Sequence, residues 1–447
     1  MKTIIKNGYI ATVNREDQVY PKGALMVEND RISWVGPMED LVMPAGEDVR
    51  VIDATGHLVI PGLINAHTHN VYYLMRGLAM DAELKEWLER AIWPGLMRID
   101  RQAAYQGSLL GCLENLLGGV TCVADNYYMH RERKENIDGV LEAALDSGIR
   151  LCMARGFHDL QFNVPEEFLE TPEEILGEYR RMVRTWHGRE DRIFVMISPV
   201  NLLYSQPDTI LQAGELAREY GLCLHTHVAE AGFEVREIHR RYRKHYIEVL
   251  DRLGVVDERF HAVHSVMITR PEMAILAERG ATVIFNPASN LLLASGVAPI
   301  EEMKEAGVRI ALGTDAPNNT QDMMQSMKLA AILPRIIRHN PLAVTSREAL
   351  RMATMAGAEA LGLDDRIGSL EPGKYADITM VSMGALHNTP VYDPVANLVY
   401  SAHSGDVRTV MVSGEVLVEG GRLVHHSESE VAARTGELCS RMFQGLS

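Results

Sequence analysis

Apolar positions along the chain fall into two textures. Up to about residue 60, short β-branched runs (Ile4-Ile5, Ala24–Val27, Ile32–Val35, Val51-Ile52) alternate with Gly and Asn turns, with no helical period between them. The same texture returns near the C-terminus at Asp377–Val381, Thr409–Val412 and Glu415–Val418. Between these ends, compact apolar runs occur at Leu58–Ile64, Val120–Ala124, Leu151–Ala154, Ile193–Ile197, Leu222–Thr226, Ala262-Val263, Thr282–Phe285 and Ile310–Leu312. Amphipathic stretches such as Arg101–Leu117, Ile137–Ser147, Thr209–Tyr220, Arg270–Arg279 and Ile300–Ala306 fill the gaps.

Eight strands, each followed by a helix, predict an α/β fold: a (β/α)8 TIM-like barrel. An open doubly wound sheet is the competing topology, and no GxGxxG after an early strand supports it. The pattern divides the chain into three parts. Residues 1–60 form the first part of a small composite β-sandwich built from both termini, residues 61–364 the barrel, and residues 365–447 the second β-sandwich part with a C-terminal helix. Ser346–Leu361 reads as a helix after the last strand, and the acidic stretch Pro165–Glu170 as a solvated face or lid.

Composition narrows the function classes. With 47% hydrophobic and 23% charged residues, the 447-residue chain has the balance of a globular protein. Its formal charge is −16 and its one basic run is Arg240-Arg241-Tyr242-Arg243-Lys244, which argues against nucleic acid as a partner. No apolar run approaches the roughly 20 residues that cross a bilayer, so no membrane is expected. The N-terminal residues read as strand and turn, with no signal-peptide pattern. Five scattered cysteines without a CxxC pair fit a reducing cytoplasmic setting.

The candidate chemistry begins at His67-Thr68-His69. Residues two apart on an extended chain share a side, so both imidazoles can face the barrel axis. His227 ends another expected strand, with Glu230 three residues on. His261 begins a third, and Asp315 follows the eighth in Gly313-Thr314-Asp315. All lie at or beside the C-terminal ends of barrel strands, where such barrels place their chemistry. Imidazoles with one carboxylate suit Zn²⁺ or Fe²⁺, with a position left for water.

Pro61–His69, His227-Val228-Ala229-Glu230, Ser289-Asn290-Leu291 through Ser295–Pro299, and Gly313-Thr314-Asp315 together resemble the amidohydrolase superfamily. The resemblance covers nearly the whole chain and is nearest to the triazine hydrolase and methylthioadenosine/S-adenosylhomocysteine deaminase branch. It implies that His67, His69, His227 and Asp315 hold one divalent ion, Zn²⁺ before Fe²⁺. It also implies that His261 holds the attacking water and that Glu230 shuttles a proton to a ring nitrogen. Asp315 would take the proton from that water, and His264 matches a histidine of many deaminases in this branch. Members with two metals carry a carboxylated lysine at the end of the fourth strand; Ile193–Pro199 contains no lysine, so one ion is expected. Relatives are often homodimers or homotetramers, which sets the expectation for assembly.

The substrate is expected to be a small N-heterocycle. The branch's nucleoside deaminases place a ribose-binding glutamate two residues past the proline of a Trp-Pro pair. Here Leu96 follows Trp93-Pro94-Gly95, and Val200 stands where a histidine is expected after the fourth strand. The segment Ala316-Pro317-Asn318-Asn319 also departs from the usual Ser-Asn-Asn pattern. These changes favour a flat ring such as a triazine, pterin or purine base over a nucleoside. Trp87 and Trp93 would stack on it, Leu96 would line the pocket, and Ser289 and Asn290 would shape the site, with Asn290 equally readable as a loop-fixing turn residue. The expected reaction is deamination with release of ammonia. Displacement of chloride, alkylamine or thioether is the alternative, and adenosine-type deamination a further one. A non-catalytic scaffold would have no need of the full ligand set.

Overall fold

The computed structural model describes residues 2–44, 49–128, 135–317 and 320–445; Asn318 and Asn319 lie outside them. The chain forms two compact units. One comprises Met1–Asn65, Leu113–Cys122 and Asp322–Ser427; the other comprises Ala66–Cys112, Val123–Gln321 and Glu428–Ser447.

In the first unit, strands from both ends of the sequence form one mixed nine-stranded sheet. Lys2–Ala11 pairs antiparallel with Val19–Glu28 and parallel with Val49–Asp53. The chain re-enters where Ile378–Ser382 pairs antiparallel with His57–Pro61. Strand alternation gathers Ile5, Leu25, Val27, Val59, Ile378, Met380 and Met411 into one buried cluster. Each large apolar side chain buried there contributes about 1.5–3 kcal/mol.

The second sheet has eight strands in sequence order: Leu63–Thr68, Val120–Tyr128, Arg150–Phe157, Ile193–Pro199, Leu224–Val228, Phe260–His264, Thr282–Phe285 and Arg309–Leu312. They are called here the first to eighth barrel strands. The pairings from the third strand to the eighth are parallel. The amides of Thr314 and Asp315 donate to the His67 carbonyl at 3.1 and 2.9 Å, joining the end of the last strand to the first. A side chain on Gly313 would meet Asn286 Oδ1 at 2.4 Å and the His67 carbonyl at 2.8 Å, so only glycine permits this closure.

The expected first strand, Leu58–Ile64, is in fact two strands. His57–Pro61 belongs to the nine-stranded sheet and Leu63–Thr68 to the barrel. The break falls at Gly62, where a Cβ would lie 2.1 Å from the Thr121 hydroxyl. The helix expected over Ser346–Leu361 is also divided, into Ser346–Met352 and Met355–Leu361, because Thr354 leaves helical geometry at φ −136°, ψ −95°. Pro165–Glu170 is only partly a solvated face. Glu166 and Glu167 are exposed, but Phe168 is buried and Glu170 pairs with the buried Arg155 at 2.5 Å. The C-terminal helix Glu428–Met442 falls in the barrel's unit, where Gln106 donates to the Thr435 hydroxyl at 2.9 Å.

Candidate active site

His67, His69, His227 and Asp315 converge at the C-terminal ends of the first, fifth and eighth strands, all buried. His67 Nε2 lies 3.1 Å and His69 Nε2 3.2 Å from Asp315 Oδ1. The His69 and His227 rings stand nearly parallel, 5.7 Å apart, and each is close to perpendicular to His67. The Nδ1 atom of each imidazole is engaged behind the cluster. His69 Nδ1 donates to the Asn126 carbonyl at 2.5 Å and His227 Nδ1 to the Val200 carbonyl at 2.9 Å, while His67 Nδ1 meets His225 Nε2 at 2.8 Å. Such partners fix ring tautomer and orientation around metals, and here they leave Nε2 for a common centre.

Burial lowers the pKa of His67, and burial with the neighbouring imidazoles lowers that of His227 further, so both rings keep a free lone pair. Burial opposes ionisation of Asp315, but the His264, His67 and His69 imidazoles outweigh it and hold the carboxyl ionised. Tetrahedral Zn²⁺ with bonds near 2.0 Å separates its ligand atoms by about 3.3 Å, close to the His67–Asp315 and His69–Asp315 spacings. The donor types fit a divalent ion, with donor atoms of His67, His69 and Asp315 within 4.8 Å of one another and those of His67, His227 and His264 likewise.

The two expected catalytic histidines of the sixth strand, His261 and His264, lie in different surroundings. His261, expected to hold the water, lies three residues before the strand's end, with Nδ1 3.1 Å from His225 Nδ1. His264 borders the cavity. Its Nε2 is 3.6 Å from Glu230 Oε2 and 3.9 Å from Asp315 Oδ2. The Asn290 amide donates to His264 Nδ1 at 2.9 Å, so the ring's proton sits on Nε2. That Nε2–H is buried and has no hydrogen-bond partner among the described residues. Burial pushes the His264 pKa down to about 3, keeping the ring neutral.

Backbone strain collects at these positions. Ala229, His264 and Asp315 all have left-handed φ, of 48°, 70° and 50°. Burial, with Glu234 and Asp315 nearby, raises the Glu230 carboxyl well above the usual range and favours its protonated form.

Three expected substrate contacts are corrected. Ser289 is buried and donates to Asp315 Oδ2 at 2.5 Å, and Asn290 holds His264, so both act behind the site, on the short helix Pro287–Leu292. Leu96 is 1% exposed and does not border the cavity. Trp87 and Trp93 do border it. The cavity holds about 530 Å³ of space, part of it open solvent. His69, His227, Glu230, His264 and Asp315 form its polar end, with Tyr128, Val200, Tyr204, Phe233 and Leu293 among the remaining walls. Tyr128, whose hydroxyl is 3.2 Å from His227 Nε2, was not singled out by sequence reasoning, nor were Asn201, Glu234 and His225. Of these only His225, in a second His-x-His at Leu224–Val228, carried a local signal.

The chain matches the family model described as "Amidohydrolase family" over residues 58–417. It is 38% identical to a 5-methylthioadenosine/S-adenosylhomocysteine deaminase of Moorella thermoacetica, over 99% of this chain and 100% of that protein. A zinc-bound adenosine deaminase structure from Xanthomonas campestris superimposes with a TM-score of 0.90 at 30% identity, covering 99% and 98% of the two chains. An atrazine chlorohydrolase of Arthrobacter aurescens TC1, complexed with zinc, gives a TM-score of 0.92 at 27% identity, covering 98% and 100%. By the family model's span and the full-length similarity, the chain belongs to the amidohydrolase family.

Proposed function

We propose that this chain is a metal-dependent aminohydrolase that exchanges an exocyclic amino group of an N-heteroaromatic ring for oxygen from water, releasing ammonia. One observation carries the proposal: the Asp315 and Glu230 carboxyls and the His264 imidazole, whose Nε2 has no hydrogen-bond partner among the described residues, have ligand atoms within 4.8 Å of one another. His67, His69, His227 and Asp315 would hold a single divalent ion, zinc in this reading with iron the alternative, which would supply water with a pKa lowered to about 7.

The protein's own groups do the rest. Asp315, braced by Ser289, accepts a proton from the attacking water. Glu230 gives its proton to the ring nitrogen beside the reacting carbon, so negative charge does not build on nitrogen. The His264 Nε2–H donates to the oxygen bound for that carbon, in the manner of an oxyanion-hole donor. A second proton transfer to the amino group lets it leave as ammonia, and the ring keeps the oxygen. Trp87, Trp93 and Tyr128 offer aromatic walls to a flat ring. The five cysteines, all free thiols, suit a reducing cytoplasmic compartment.

Adenosine-type deamination is a second reading, favoured by the names of the full-length relatives. Against it, Leu96 is buried off the cavity and Val200 offers no polar contact to a sugar. Ammonia, chloride and alkylamine release should be measured on zinc-reconstituted protein with aminotriazines, pterins, guanine derivatives and adenosine analogues. Ammonia from free ring amines is expected. Chloride or alkylamine release without ammonia would overturn deamination, and turnover confined to adenosine analogues would select the second reading.

A further inference from the structure

Glu230 sits on a short, strained connection. Ala229 before it has φ 48°, and Ala231 after it borders the helix Gly232–Tyr242. The methyl of Ala231 cannot accept a hydrogen bond from the helix's first amides. Glu234, in the first turn of that helix, supplies what the loop lacks. Its Oε2 accepts the Glu230 amide at 2.9 Å and the Ala231 amide at 3.2 Å, and its Oε1 accepts the Asn201 side-chain amide at 3.1 Å. The Asn201 amide has one orientation, because its Oδ1 accepts the Leu203 amide at 2.9 Å. Glu234 is 2% and Asn201 3% exposed, and both border the cavity that contains Glu230.

We infer that Glu234 is a positioning residue for the proton transfer. With Asn201 it ties the loop after the fourth barrel strand to the loop after the fifth, and it holds Glu230 where its carboxyl reaches the substrate ring. The inference rests on Glu230 carrying the proton, as proposed above. A residue that only capped the helix would change stability alone. One that positions the acid changes the turnover step, because misplacing a reacting group by about 1 Å costs on the order of 10² in rate.

The test is an exchange of hydrogen-bond polarity. Glu234→Gln keeps the shape but sets a Gln NH₂ against the Asn201 NH₂, two donors face to face. Adding Asn201→Asp restores a donor–acceptor pair and still accepts the Leu203 amide. Both variants are measured as metal-loaded enzyme for kcat, KM, metal content and melting temperature. Glu234→Gln is expected to lower kcat by about 10- to 100-fold with KM within about threefold and metal content unchanged. The double variant should return to within about fivefold of wild type. A Glu234→Gln kcat equal to wild type, or a double variant no faster than the single one, would overturn the inference. If Glu234→Gln does not fold, the double variant decides against wild type by the same fivefold criterion. Glu230→Gln separates the two levels: full activity there removes the proton role itself, whereas inactivity there beside an unaffected Glu234→Gln removes only the positioning.

Discussion

Asn290→Asp replaces one NH₂ by oxygen at the atom that sets the His264 tautomer. In the wild type the amide donates to Nδ1 at 2.9 Å, and the ring's only proton is on Nε2, 3.6 Å from Glu230 and 3.9 Å from Asp315. A carboxylate at that place accepts instead, so a neutral His264 must move its proton to Nδ1 and turn a bare lone pair towards the reacting oxygen. Loss of one such donor costs about 10²–10³ in kcat, or roughly 2.7–4 kcal/mol. The same carboxylate stabilises the imidazolium, against the burial that holds the wild-type ring at about 3. Below the raised pKa the ring carries both protons and the Nε2 donor returns. The variant's kcat should therefore be lowest at alkaline pH and recover as pH falls, a trend the wild type lacks. Ammonia release across the pH range, with metal content measured in parallel, tests this. Wild-type turnover at pH 8, or a loss tracking lost metal, would refute the tautomer argument.

Three other substitutions test separate links. Glu230→Gln should lower kcat by about 10²–10⁴ with the metal retained. It should also raise the melting temperature at pH 8, because it removes a carboxyl whose ionisation is opposed by burial, Glu234 and Asp315. Leu96→Glu should lower the melting temperature without creating nucleoside activity, since the residue is buried off the cavity and burying a charge there is costly; a gain in ribonucleoside kcat/KM would show that the position faces substrate after all. His158 is buried, with its pKa lowered from 6.5 to about 3 by burial and then Arg155. Between those values the unfolded chain binds a proton that the folded chain does not, so stability is fully present above about 6.5 and falls as pH drops towards 3. His158→Phe should flatten that fall in chemical-denaturation curves, and unchanged curves would count against it.

Much of the architecture was legible because its determinants are local. Helices Arg101–Leu117 and Arg270–Arg279 occupy the residues their periodicity marks, and the runs expected as the second to eighth barrel strands each lie at a barrel strand. Spacing alone indicated that His67 and His69 could share a side. The same alternation does not hold to the end of the sixth strand. In register, His261 lies beside His225 and His264 beside Val228, so a regular strand would turn His264 away from the His225–His227 face. The left-handed φ of 70° at His264 breaks that alternation and brings the later histidine into the site. Two-residue periodicity carries no information about such a turn. Pairings between residues remote in sequence were equally illegible: Asn290 setting the proton on His264, Ser289 bracing Asp315, and Asn201 meeting Glu234 across two loops. Sequence by itself determined which elements form and which residue types could hold a metal, because periodicity and motif spacing are properties of neighbouring positions. Tertiary structure alone decided which histidine reaches the reacting atoms and in which protonation state, because both depend on groups brought together by folding.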